Sequence, residues 1–174
     1  MVSSSQIQKK AMERDAAHDI NVHREDVQLI CFKLGAEAYG MDIMQIKEII
    51  RCQKIAVVPK APCFIDGVIN LRGMVIPIID LRKRFGLQAG AHLRNRIIIA
   101  AVESRIVGLV VDDVIDIISA PKANLLPPPK MVKGAESAYL GGMIDVEGSF
   151  LFIIDLDKML TEEEKGSLDA PLEK

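Results

Sequence analysis

At 174 residues the chain has room for one ordinary domain or for two small barrels, not for two large independent domains. Apolar residues make up 49% of it and aromatics only 4%, with no Trp, which excludes a disordered chain and leaves the core to Ile, Val, Leu and Met. Its 22 basic residues against 24 acidic ones give no strong positive field, so nucleic acid and anionic membrane surfaces are not expected partners.

Residues 1–24 are polar and lack β-branched runs. Ser5 and Gln8 stand at capping-box spacing, and Ile7, Ala11 and Met12 fall roughly on one helical face, so this N-terminal arm is either a short helix or a disordered tail. Met1 is followed by polar Ser3-Ser4-Ser5-Gln6 in place of a basic and then apolar leader. No apolar run approaches the ~20 residues of a membrane span, so no membrane insertion is expected and the default compartment is cytoplasmic. From Val27 onward the chain turns to short β-branched runs punctuated by Gly and Pro, at Val27–Phe32, Val75–Ile79, Ile97–Ile99 and Phe150–Ile154. That pattern predicts an all-β sandwich or barrel. The segment Ile43 to Ile50 fits a bulged strand and a short helix equally well; as a strand it puts Ile46 and Glu48 on one face, an apolar residue beside a carboxylate. Residues 161–174 read as a C-terminal tail with helical character.

The chain also repeats itself. Gly67 to Phe85 aligns without a gap on Gly142 to Leu160, and eight of the 19 positions are identical: both Gly pairs, Ile69/Ile144, Ile78/Ile153, Ile79/Ile154, Asp80/Asp155, Leu81/Leu156 and Lys83/Lys158. Average composition would supply roughly one or two. Upstream, Leu29 to Gly40 matches the span from Ile97 to Gly108, and Gly40 to Pro59 matches Gly108 to Pro127. Between those prolines and the Gly67/Gly142 anchors the second copy is longer by seven residues, an insertion with Pro128, Pro129 and Gly134 that forms a candidate contact loop. The reading is therefore all-β, two five-stranded barrels related by internal duplication, with short helical turns. The first barrel spans about 25–90 and the second about 91–160, with terminal segments able to exchange between them.

Chemistry is sparse. Cys31, Cys52 and Cys63 are odd in number, widely spaced and without a Cys-x-x-Cys pair, and are expected to be buried reduced thiols; no metal or other cofactor is expected. His18, His23 and His92 are scattered in polar sequence and complete no nucleophilic triad. The matched Asp80 and Asp155 suggest a paired-carboxylate hydrolase, but each precedes a Leu-x-Lys turn without a following Thr/Ser-Gly, so helix N-capping is the expected role. Arg72 is different: its counterpart is Glu147, so the hairpin tolerates either charge and the fold alone does not call for Arg.

The run Ala61-Pro62-Cys63-Phe64-Ile65-Asp66-Gly67-Val68-Ile69-Asn70-Leu71-Arg72-Gly73, followed by Val75-Ile76-Pro77-Ile78-Ile79-Asp80-Leu81-Arg82, resembles the signature of the CheW family of bacterial chemotaxis coupling proteins. Phe32-x-Leu34-Gly35, Tyr39-Gly40-x-Asp42-Ile43 and Val107-Gly108-Leu109-Val110-Val111-Asp112-x-Val114 extend the likeness to about residues 26–160. The resemblance implies two SH3-like barrels and a non-catalytic adaptor, cytoplasmic and recruited to membrane receptor arrays, between transmembrane chemoreceptors and the histidine kinase CheA. It also implies that the receptor's helical-hairpin tip enters a groove between the barrels, with Ile43, Ile46, Glu48, Arg72, Gly73, Val114 and Ile117 lining or flanking it. Contacts with the kinase's regulatory domain are implied at the barrel ends, at Ile55 and Val57 and at Leu126, Pro127, Pro129 and Met131. A CheW-like scaffold of another receptor and kinase, in pilus or developmental control, fits the same residues.

Overall fold

The computed structural model describes residues 2–16, 25–87, 96–131 and 135–169; the side chains of 11–16, 135 and 136 lie outside that description. So do His18, His23, His92 and Gly134. In chain order the elements are α1 (Ser4–Ala16), β1 (Asp26–Leu34), β2 (Glu37–Asp42), β3 (Ile46–Arg51), β4 (Gly67–Leu71), β5 (Met74–Asp80), α2 (Leu81–Arg84), β6 (Arg96–Val102), β7 (Arg105–Val111), β8 (Asp113–Pro121), β9 (Leu140–Val146), β10 (Ser149–Ile154), α3 (Leu156–Met159) and α4 (Glu162–Asp169). The ambiguous segment before β3 resolves into both readings, a 3₁₀ turn at Ile43–Gln45 and then a strand whose register shifts by one residue between Ile46 and Glu48.

Two five-stranded sheets result, ordered β8-β1-β2-β10-β9 and β3-β6-β7-β5-β4. The duplication is visible in the register. Cys31 faces Gly40 as Ile99 faces Gly108, and Gly67 faces Ile78 as Gly142 faces Ile153. The parallel pairs also correspond, Ile153 with Gly40 and Ile78 with Gly108. Pro77 sits on β5 just before the parallel pairing with β7 begins at Ile78, where its missing N–H leaves no ladder position empty. Each sheet combines the first two strands of one repeat copy with the last three of the other. Accordingly the chain forms two compact units, Met1–Met44 with Asp113–Met159, and Gln45–Asp112 with Leu160–Lys174.

Both cores are aliphatic, as the composition requires. In the first unit Leu29, Cys31, Ala38, Ile118, Ile144, Val146 and Leu151 pack with Val2 and with Ile7 from α1, so the N-terminal helix belongs to the core. Its capping box uses Ser3 and Gln6, not Ser5 and Gln8: Gln6 N–H donates to Ser3 Oγ at 3.4 Å and Ser3 N–H to Gln6 Oε1 at 3.0 Å. In the second unit Ile69, Ile76, Ile78, Ile97, Ile99 and Val110 form the core, with Ile50, Ile55, Leu71 and Ile106 half-buried around it. The expectation of three buried thiols is corrected: Cys31 is buried, whereas Cys52 and Cys63 are exposed on the irregular segment between β3 and β4. Burial, then the nearby Asp116 carboxylate, pushes the Cys31 thiol up to about 12, so it stays protonated and inert.

Candidate partner-binding surfaces

The β4–β5 hairpin of the second unit is built by local rules. Asn70 Oδ1 accepts from Gly73 N–H at 2.9 Å, and the two central residues, Arg72 (φ 51°) and Gly73 (φ 86°), are both left-handed, as a type I′ turn demands. The twin hairpin of the first unit repeats this: Asp145 Oδ1 accepts from Gly148 N–H at 2.8 Å, with Glu147 at φ 51° and Gly148 at φ 83°. The carboxamide or carboxylate and the glycine fix the turn, leaving its other central residue free to differ in charge. Arg72 uses that freedom to donate from Nη2 to Glu48 Oε1 on β3, its own side chain remaining 71% exposed and that of Glu48 31%. Glu147 instead lies 4.0 Å from Lys9 of α1.

Of the residues expected at the receptor surface, Arg72 and Glu48 are thus joined directly, with Gly73 beside them in the turn and Ile46 half-buried on the same strand as Glu48. Ile43, Val114 and Ile117 belong to the first unit, Ile43 in the turn after β2 and the other two on β8, opposite β1. By register Val114 and Asp116 answer to Ile46 and Glu48, facing Phe32 and Cys31 as those face Ala100 and Ile99. Sequence reasoning passed over Met44, 83% exposed beside Ile43, and Ile49, exposed on β3 and facing Ile98 as Ile117 faces Ile30. The repeat would have found Ile49, the counterpart of Ile117 at the same offset as Leu29 and Ile97; nothing in the sequence marks Met44.

The second expected surface is held at one point in each unit. Ala56 bridges Val68 through two backbone hydrogen bonds, of 2.8 and 2.9 Å, and Leu126 bridges Met143 in the same way, at 2.8 and 2.9 Å. Gly67 permits this approach, since a Cβ there would stand 2.4 Å from the Ala56 carbonyl oxygen. Ile55 turns back to the core, whereas Val57, just past the bridge, is 81% exposed. Leu126 and Pro127 are exposed and Pro129 half-buried, and Met131 at the end of that stretch is 89% exposed. The bridges make Ala56 and Leu126 counterparts, while counting from the prolines pairs Leu126 with Val58, so part of the insertion precedes the bridge.

Asp80 and Asp155 both act as caps. Asp80 Oδ1 accepts from Arg82 N–H at 2.9 Å, and its carboxylate also binds the Arg82 guanidinium, which reaches Asp112 at 3.2 Å; all three side chains are buried. The hydrogen bonds from Arg82 to Asp80, against the cost of burial, hold the guanidinium above its usual range. Asp155 Oδ1 accepts from Asp157 N–H at 3.0 Å and is more exposed. Each carboxylate is thereby engaged by its own turn. Among the described residues no group of three or more His, Cys, Asp or Glu could hold a metal ion, and no helix is long and apolar enough to cross a membrane.

The model of the CheW-like domain matches residues 28–164, which include all of both sheets but the first two residues of β1, and every residue of the two surfaces described above. The chain belongs to the CheW-like family. A chemotaxis protein CheW of Rhizobium meliloti is 36% identical over 155 residues, covering 88% of this chain and 98% of that protein. Another, from Treponema pallidum, is 34% identical over 148 residues, covering 82% and 87%. The crystal structure of the scaffolding protein TtCheW from Thermoanaerobacter tengcongensis aligns with a TM-score of 0.72 and 34% identity, over 79% of this chain and 96% of that one. Family and fold together make this CheW-like chain a chemotaxis coupling adaptor.

Proposed function

We propose that the chain is a non-catalytic coupler that binds the cytoplasmic hairpin tip of a chemoreceptor through one set of residues and the regulatory domain of the histidine kinase CheA through another, and so joins membrane receptor arrays. The observation that carries this reading is exposed Arg72, paired with Glu48 of β3, on a turn whose twin keeps the geometry and reverses the charge at Glu147. A residue retained for the turn would not need to be Arg; a planar fork on an exposed hairpin suits a polar partner. The apolar receptor contacts are supplied in each unit separately, by Ile46 on β3 of the second and by Ile43, Val114 and Ile117 of the first. Each unit contributes kinase contacts on an irregular segment, the second through exposed Val57 with Ile55 near it in sequence, and the first through exposed Met131 with Leu126, Pro127 and Pro129 before it.

Mixing the chain with a receptor cytoplasmic fragment and a CheA fragment should give a ternary complex on size exclusion. Arg72→Ala is expected to weaken receptor binding by about 1–2 kcal/mol, the range of a moderate hot spot, while leaving kinase binding and the unfolding midpoint unchanged. Val57→Asp together with Met131→Asp should have the opposite selectivity. Binding to neither partner at moderate salt, or a loss of both partners with Arg72→Ala, would overturn the assignment.

A further inference from the structure

The last helix is attached to the second unit in an unusual way. Of the residues of α4, the buried one is Lys165, not an apolar residue. Its ammonium donates to Glu103 at 2.8 Å, on the β6–β7 turn, and to Glu162 at 2.9 Å. Arg84, at the end of α2, grips Glu164 with both terminal nitrogens at 2.7 and 2.6 Å, and Arg105, on β7, grips Asp169 through Nε and Nη2 at 2.8 and 2.7 Å. Eight residues with Gly166 among them are too few to hold a helix in water unaided, even with the reciprocal Thr161–Glu164 capping box. The helix therefore depends on its tertiary contacts, and those made by Glu164, Lys165 and Asp169 are ion pairs.

We infer that α4 is an electrostatically latched strap, which added salt releases from the second unit while the β3–β7 sheet stays folded, baring the guanidinium forks of Arg84 and Arg105. Screening weakens ion pairs at the surface and leaves apolar packing intact. The sheet's own core, Ile69, Ile76, Ile78, Ile97, Ile99 and Val110, includes no residue of α4.

Amide hydrogen exchange on the full-length chain at constant pH tests this. Raising NaCl from about 0.05 M to about 1 M should lower protection of residues 162–169 about tenfold, with amides of β6 and β7 unchanged. At the lower salt, Glu164→Gln combined with Asp169→Asn should give the same loss, and Leu168→Ala should not. The inference is overturned if α4 keeps its protection in high salt, if it is unprotected already in low salt, if it opens only together with the sheet, or if the neutral double variant stays as protected as the parent.

Discussion

Two glycines of the β4–β5 region do different work, and substitution should separate them. Gly73 needs only its left-handed φ of 86°; nothing lies within 4 Å of where a Cβ would go. Gly73→Ala should cost about 1 kcal/mol, the strain of an L-residue in that region. Gly67 carries two demands, a φ of 150° and neighbours that leave no room, with the Ala56 carbonyl oxygen at 2.4 Å and Ile55 Cγ2 at 2.7 Å from the added carbon. Gly67→Ala must push the Ala56–Val68 bridge apart and should cost about 3 kcal/mol in urea unfolding. Equal costs would mean that the close approach at Ala56 is not what fixes glycine there. Both were legible in the sequence as turn or crossing glycines, but which was which was not: a conformational need alone and one joined to a close approach leave the same letter. Arg72 against Glu147 was legible for the converse reason, since the repeat supplies its own control for what the turn requires. The exposure of Cys52 and Cys63 was not legible, because the burial habit of cysteine says nothing of an irregular segment after an edge strand.

At the scale of elements the two terminal helices are opposites. α1 is anchored by Ile7, fully buried in the core of the first unit. Ile7→Ala should cost about 2–4 kcal/mol, and its effect on the unfolding midpoint should be insensitive to salt. The sequence suggested a helix here, with Ile7, Ala11 and Met12 roughly on one face, without showing whether anything covered that face, because a short polar arm does not name the element it packs on. α4 should instead respond to acid. Hydrogen bonds from Arg84 hold the Glu164 carboxyl below its usual range, those from Arg105 do the same for Asp169, and those from Lys165 and then Arg105 for Glu103. Carboxyls lowered in the docked state stabilise docking above their undocked values, near 4 to 4.5, and that stabilisation is lost as pH falls through the lower docked values. Glu162, Lys165, Arg84 and Arg105 are the other charged groups facing these carboxyls. The amide cross-peak of Gly166 should therefore move to its random-coil position in acid before those of β6 and β7 shift, and a concerted shift would refute the separate attachment of α4.

For the whole molecule, the duplication and the strand content were legible and the pairing of copies was not. Gly40 could meet Ile78 of its own copy or Ile153 of the other with the same register and the same neighbours, so no local rule distinguishes the two. The structure takes the exchanged arrangement in both sheets, with the consequence that one sheet is continuous in sequence. All five strands β3 to β7 lie within Gln45–Asp112, nested in the chain between the strands of the other sheet. A fragment of residues 45–112 therefore carries a complete sheet and its core, whereas residues 25–90, the first repeat copy, carry two strands of one sheet and three of the other. A domain of this size is marginal, so the nested fragment should show a weak but cooperative urea transition with β-type circular dichroism. The repeat fragment, though similar in length and composition and containing the whole signature hairpin, should show neither, since its strands lack the partners that close each core. If the repeat fragment folded and the nested one did not, pairing within each copy would be the preferred arrangement, and the exchange would have to be imposed by the rest of the chain.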